Sequence, residues 1–77
     1  MKYLIVIEKT NTGYSAYSPD LDGCVAAGST KEETLNNMKE AMEFHLEGLL
    51  HVGHQYIPQP QAFSDYIEIG IPLLATR

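Results

Sequence analysis

The period of the apolar positions changes along the chain, and each change marks an element. Tyr3 to Glu8 is a nearly unbroken run of aliphatic and β-branched residues, which predicts a strand covered on both faces and therefore central in its sheet. Lys9-Thr10-Asn11-Thr12-Gly13 follows with turn chemistry, because asparagine tolerates bent backbone and glycine tolerates positive φ. Tyr14 to Ser18 is the predicted return strand, ending at Pro19, which lacks a ladder donor. A second turn, Pro19-Asp20-Leu21-Asp22-Gly23, leads into a short strand of small residues from Cys24 to Gly28.

The helix has the strongest signal. Thr30 with Glu33 three residues later forms a capping box, and Leu35, Met38, Met42, Leu46 and Leu49 recur at three- and four-residue spacing. At 100° per residue these five lie in a stripe roughly 80° wide, with Glu40, Glu43 and Glu47 on its acidic flank and Phe44 opposite Leu35. The helix is expected to run to about His51, where Gly53 can close it, and Pro58 and Pro60 prevent its continuation. Asp65 to Ile71 alternates, placing Ile67, Ile69 and Ile71 on one face of a final strand that Pro72 ends. The expected fold is α+β, in the order β-β-β-α-β. It is a four-stranded mixed sheet of order 3-2-1-4, with the last strand parallel to the first and the one long helix packed on one face.

Composition narrows the class. The 77 residues make one domain, spanning 1–77, with a core near the lower limit for independent stability. Area scaling gives a compact folded surface of roughly 4,700 Å² against about 12,500 Å² for the extended chain, which favours self-association as a source of further burial. A composition 44% hydrophobic and 19% charged belongs to an ordered domain. Ten acidic residues against five basic give a net charge of −5, which repels a phosphate backbone and suits a basic protein surface. With one cysteine, no secretory signal and no long apolar stretch, a cytoplasmic protein without membrane contact is expected.

No catalytic, cofactor or metal residues emerge. Asp20 and Asp22 flank a turn and read as turn formers accepting backbone N–H bonds, since metal catalysis needs more converging carboxylates. His45, His51 and His54 do not align on a helix face, His45 and His51 being about 120° apart, and suit the helix C-terminal dipole. Cys24 sits among small strand residues, where a cysteine packs as a compact hydrophobe. Phe44 on the outer helix face marks a candidate interface, with Glu40, Glu43 and Glu47 beside it; the bland alternatives are a single exposed aromatic and a solvated acidic face.

Tyr17-Ser18-Pro19-Asp20-Leu21-Asp22-Gly23-Cys24, then Gly28-Ser29-Thr30-Lys31-Glu32-Glu33, then a long helix bearing Glu40-Ala41, resembles the HicB-like antitoxins. The matching motif residues are Pro19, Asp20, Leu21, Gly23, Cys24, Gly28 and Thr30, and the Ile57-Pro58-Gln59-Pro60 loop is similar as well. The resemblance implies a degenerate ribonuclease-H-like domain without that enzyme's carboxylate set. It also implies a role in neutralising HicA, a small basic mRNA-cleaving toxin, by covering its active surface. Many members carry a C-terminal DNA-binding domain; this chain stops at Arg77, so none is expected, nor is direct binding of nucleic acid. The expected partners are a HicA-like toxin and further copies of the chain, as a dimer or tetramer. Two other classes stay open, a self-associating domain without a toxin and a residual metal-dependent nuclease.

Overall fold

The computed structural model describes residues 1–53 and 57–71. The first hairpin pairs β1 (Val6–Lys9) with β2 (Tyr14–Tyr17) antiparallel, Ile7 opposite Ala16 and Lys9 opposite Tyr14. The hairpin is closed by Thr10, whose N–H donates to Gly13 O at 2.8 Å while its Oγ1 accepts from Gly13 N–H at 3.0 Å. Strand β3 (Val25–Gly28) pairs antiparallel with β2 on the other side. The turn between them is held by Leu21 N–H to Ser18 O at 3.3 Å and Cys24 N–H to Leu21 O at 3.2 Å. Gly23 takes φ +81° there, a left-handed conformation that costs a side-chain-bearing residue energy.

Helix α1 (Lys31–His51) starts at the expected cap, Thr30, with the return bond of the capping box shifted one residue earlier, to Ser29. Thr30 Oγ1 accepts from Glu33 N–H at 3.0 Å, and Glu33 Oε1 accepts from both Ser29 N–H and Ser29 Oγ at 2.7 Å. It ends where Val52 N–H donates to Gly48 O, followed by Gly53 at φ +84°. The helix packs chiefly on β3 and also on β2, so β1 lies to one side of it. Its inner line is Thr34, Met38 and Met42, with Ala41, His45, Leu46 and Leu49 half-buried. Leu35, expected in the apolar stripe, is 37% exposed, and Thr34 takes the inward place. Thr34 fits because its Oγ1 donates to Thr30 O at 2.8 Å, which satisfies the hydroxyl inside the fold. It also lies against Gly28, where a Cβ would meet Thr34 N and Oγ1 at 2.8 Å; a glycine is what lets strand and helix approach so closely.

The core is Ala16, Leu21, Cys24, Met38 and Met42, flanked by half-buried Tyr3, Ile5, Ile7, Ala26 and Leu46. Cross-strand partners share a face, so Ile7, Ala16 and Ala26 point at the helix, whereas Val6, Tyr17 and Val25 form an apolar row on the other side of the sheet. Tyr17 and Val25 are exposed there.

The expected four-stranded mixed sheet of order 3-2-1-4 does not form. Among the described residues the sheet is three-stranded and antiparallel, in the order β1-β2-β3, with β2 at its centre. Tyr3–Glu8 therefore supplies an edge strand, and pairing begins only at Val6. Residues 57–71 carry no strand, and Ile67, Ile69 and Ile71 are 84%, 75% and 59% exposed. The physical reason is that an alternating or continuous apolar pattern states a capacity to be covered without naming what covers it. Those isoleucines have an apolar face, but the chain's own sheet does not receive it.

Candidate functional site

Six of the motif residues, from Asp20 to Thr30, have a local task. Leu21 is 1% exposed and plugs the core from the β2–β3 turn, which Gly23 allows to close. Cys24 is buried, and its thiol donates to Ala41 O at 3.8 Å across the sheet–helix interface. Burial pushes the thiol above its ordinary pKa, which keeps it protonated and a poor nucleophile. Gly28 and Thr30 set the close approach and start of α1, as described above. Asp20 does more than form its turn. Its Oδ2 accepts from Gln61 N–H and Ala62 N–H, both at 3.0 Å, and so ties residues 61–62 to a loop 41 positions earlier in the chain. Tyr3 adds a second tie by donating its hydroxyl to Pro58 O.

These ties belong to architecture rather than to chemistry. Among the described residues no three His, Cys, Asp or Glu side chains converge as a metal site would need, and every buried side-chain polar atom has a hydrogen-bond partner. Asp22 is exposed and stands apart from Asp20's contacts. His45 is half-buried and His51 is exposed in the last helical turn; His54 lies outside the described residues. No helix among the described residues is long and apolar enough to cross a membrane.

What the fold does present is a pair of apolar hollows, one on each flank of α1. On the β3 side, Phe44 stands 78% exposed at the rim of a concavity of about 460 Å³ lined by Cys24, Val25, Ala41, His45, Gly48 and Leu49. On the β1 side, Tyr3, Ile5, Met42 and Leu46 line a trough of about 380 Å³, rimmed by Lys39 and Glu43, whose side chains pair at 3.5 Å. Glu40, Glu43, Phe44 and Glu47 are all exposed. At 100° per residue they occupy about 100° of the outer helix face, Glu43 toward the trough, Phe44 toward the concavity, and Glu40 and Glu47 between them. The ridge and the aromatic thus share one face without forming a single patch. The signal for Phe44 was its angle from the apolar stripe; nothing in the sequence pattern signalled the Asp20 clamp, because its partners are backbone amides.

The described residues thus form a short antiparallel sheet backed by one capped helix, with an apolar hollow on each flank of that helix. The profile described as "HicB_like antitoxin of bacterial toxin-antitoxin system" matches residues 3–69. The chain belongs to that family. It is 43% identical over 76 residues to the "uncharacterized 14.9 kDa protein in rep-hol intergenic region" of Haemophilus phage HP1, a match covering 87% of this chain and 56% of that protein. The chain therefore spans little more than half the length of that relative. Among solved structures, a chain of the "HicA3 and HicB3 toxin-antitoxin complex" superimposes with a TM-score of 0.66 at 38% identity, covering 78% of this chain and 70% of that one. The "Antitoxin HicB3 crystal structure" gives 0.65 at 25% identity, covering 96% and 77%.

Proposed function

We propose that this chain neutralises a basic, HicA-like RNA-cleaving toxin by binding it and covering its active surface, with no catalysis of its own. The observation that carries this reading is the likeness, at 38% identity over 78% of the chain, to a chain of a solved toxin–antitoxin complex. Charge supports it independently, since a net −5 draws a basic partner and speeds encounter. The outer face of α1 is the surface we assign to the toxin: Phe44 is the aromatic anchor beside the β3-side concavity, and Glu40 and Glu47 steer from the ridge. An aromatic seated next to a hollow is the type of contact that dominates interface energetics, whereas exposed charges are screened within about 8 Å at physiological salt.

Co-expression with a HicA-like toxin encoded beside this chain tests the reading. Co-purification and rescue of growth are expected, and Phe44→Ala weakens the complex while charge reversal at Glu40 and Glu47 slows association and flattens its salt dependence. A chain that neither co-purifies nor rescues contradicts the reading and leaves the self-associating domain as the better account.

A further inference from the structure

The segment from Phe63 to Ile71 has the composition of a strand and the surroundings of none. Phe63 is 88% exposed and Tyr66 95%, and the Ile67, Ile69 and Ile71 face is open to water throughout. So large a run of uncovered apolar side chains is unusual on a solitary domain. The whole chain exposes 6457 Å², about 1,800 Å² more than area scaling gives for a compact domain of its mass. Its radius of gyration is 16.7 Å against about 11.5 Å for a compact chain of this length, with a long axis of 60 Å.

The missing partner surface is present on the same molecule. Among the described residues strand β1 is an edge whose outer N–H and C=O groups lack a ladder, and the adjoining Tyr3, Ile5, Met42 and Leu46 trough is apolar because α1 sits over β2 and β3 and leaves that flank uncovered. Asp20 and Tyr3 fix residues 58–62 at the end of the sheet where β1 begins, so the segment leaves the body beside its own trough yet outside it. We infer that residues 63–71 of each chain add to the β1 edge of a second copy, their isoleucines seated in its trough. Two copies related by a two-fold axis satisfy both segments and both edges at once, and the exchange closes. The surface in excess on two chains exceeds the 1,200–2,000 Å² that roughly brackets a stable interface. Pairing of this kind gains ladder hydrogen bonds for affinity and side-chain seating for register.

The inference concerns the chain alone and does not depend on a toxin. Light scattering on the purified protein at about 100 µM, a concentration where specific dimers persist, is expected to read twice the chain mass. Ile67→Lys with Ile69→Lys, in side chains that are largely exposed, should halve that mass and leave the helical circular dichroism unchanged. Leu46→Lys spoils the trough instead. Neither variant should dimerise alone, but an equimolar mixture should recover a dimer, because one intact segment meets one intact trough. As a second readout, amides 67–71 of the wild type should be protected from exchange at high concentration and lose that protection on dilution. A monomeric wild type, a dimer that survives the double lysine change, or protection independent of concentration each overturns the inference, and failure of a folded mixture to recover the dimer does so too.

Discussion

Residues 1–53 and residues 57–71 are both rich in apolar side chains, yet only the first stretch buries them. In the body, each strand and the helix meet a complementary face within about 50 residues of chain, and Ala16, Leu21, Cys24, Met38 and Met42 close into one core. In the later segment the start is tied by hydrogen bonds to Asp20 and from Tyr3 and is half-buried at Ile57, Pro58, Pro60 and Ala62, whereas Ile67, Ile69 and Ile71 stay exposed. Burial is a property of a pair of surfaces, and the two regions differ in whether the chain folds the second surface against them.

Substitution separates them most sharply. Met38→Ala removes a fully buried side chain from the body and should lower stability by about 2–5 kcal/mol, a large fraction of what a domain of this size has. Ile69→Ala should leave the stability of the monomer unchanged within about 0.5 kcal/mol, because the side chain is largely exposed. Denaturant titration at concentrations low enough to hold the monomer checks both. An equal loss for the two would mean the segment is covered within its own chain.

The clamp can be released without touching either region's core. Asp20→Ala deletes two backbone bonds to a charged acceptor and should loosen residues 61–62 by about 2 kcal/mol, a roughly thirtyfold faster amide exchange at Gln61 and Ala62. The melting of α1 should be unaffected. Slower exchange or a broad loss of helix would show that the clamp supports the body instead.

A smaller effect belongs to the helix start. Ser29, through its hydroxyl and then its N–H, holds Glu33 below the ordinary carboxylate pKa of 4.5. The stabilisation from that carboxylate is therefore complete above the ordinary value and is lost as pH falls through the lower folded one. Acid titration followed by circular dichroism should show the first turn loosening in that window. Glu33→Gln should flatten the dependence, and an unchanged profile in that variant would assign it to another group.

How far the sequence was legible follows the same division. The helix Lys31–His51 could be read closely because its signals are local: a capping box at Thr30 and Glu33, apolar spacing of three and four, and Gly53 after its end. The first hairpin was readable from its turn residues for the same reason. The burial of Thr34 in place of Leu35 was not, since it depends on Gly28 admitting the helix over β3 and β2. The placement of Tyr3–Glu8 and of Asp65–Ile71 failed for one physical cause, that apolar pattern does not distinguish coverage by the chain itself from coverage by another molecule. Of the candidate interface, Phe44 was legible as the residue opposite the stripe, while the hollows either side of α1 came only with the third dimension.

The most direct test of the antitoxin role is an RNA-cleavage assay with a purified HicA-like toxin encoded beside this chain, titrated with the wild-type protein. Cleavage should fall linearly to zero near one equivalent of chain per toxin, and Phe44→Ala should shift that endpoint to excess antitoxin while the protein stays folded. Cleavage that persists at saturating wild-type chain would contradict neutralisation by occlusion.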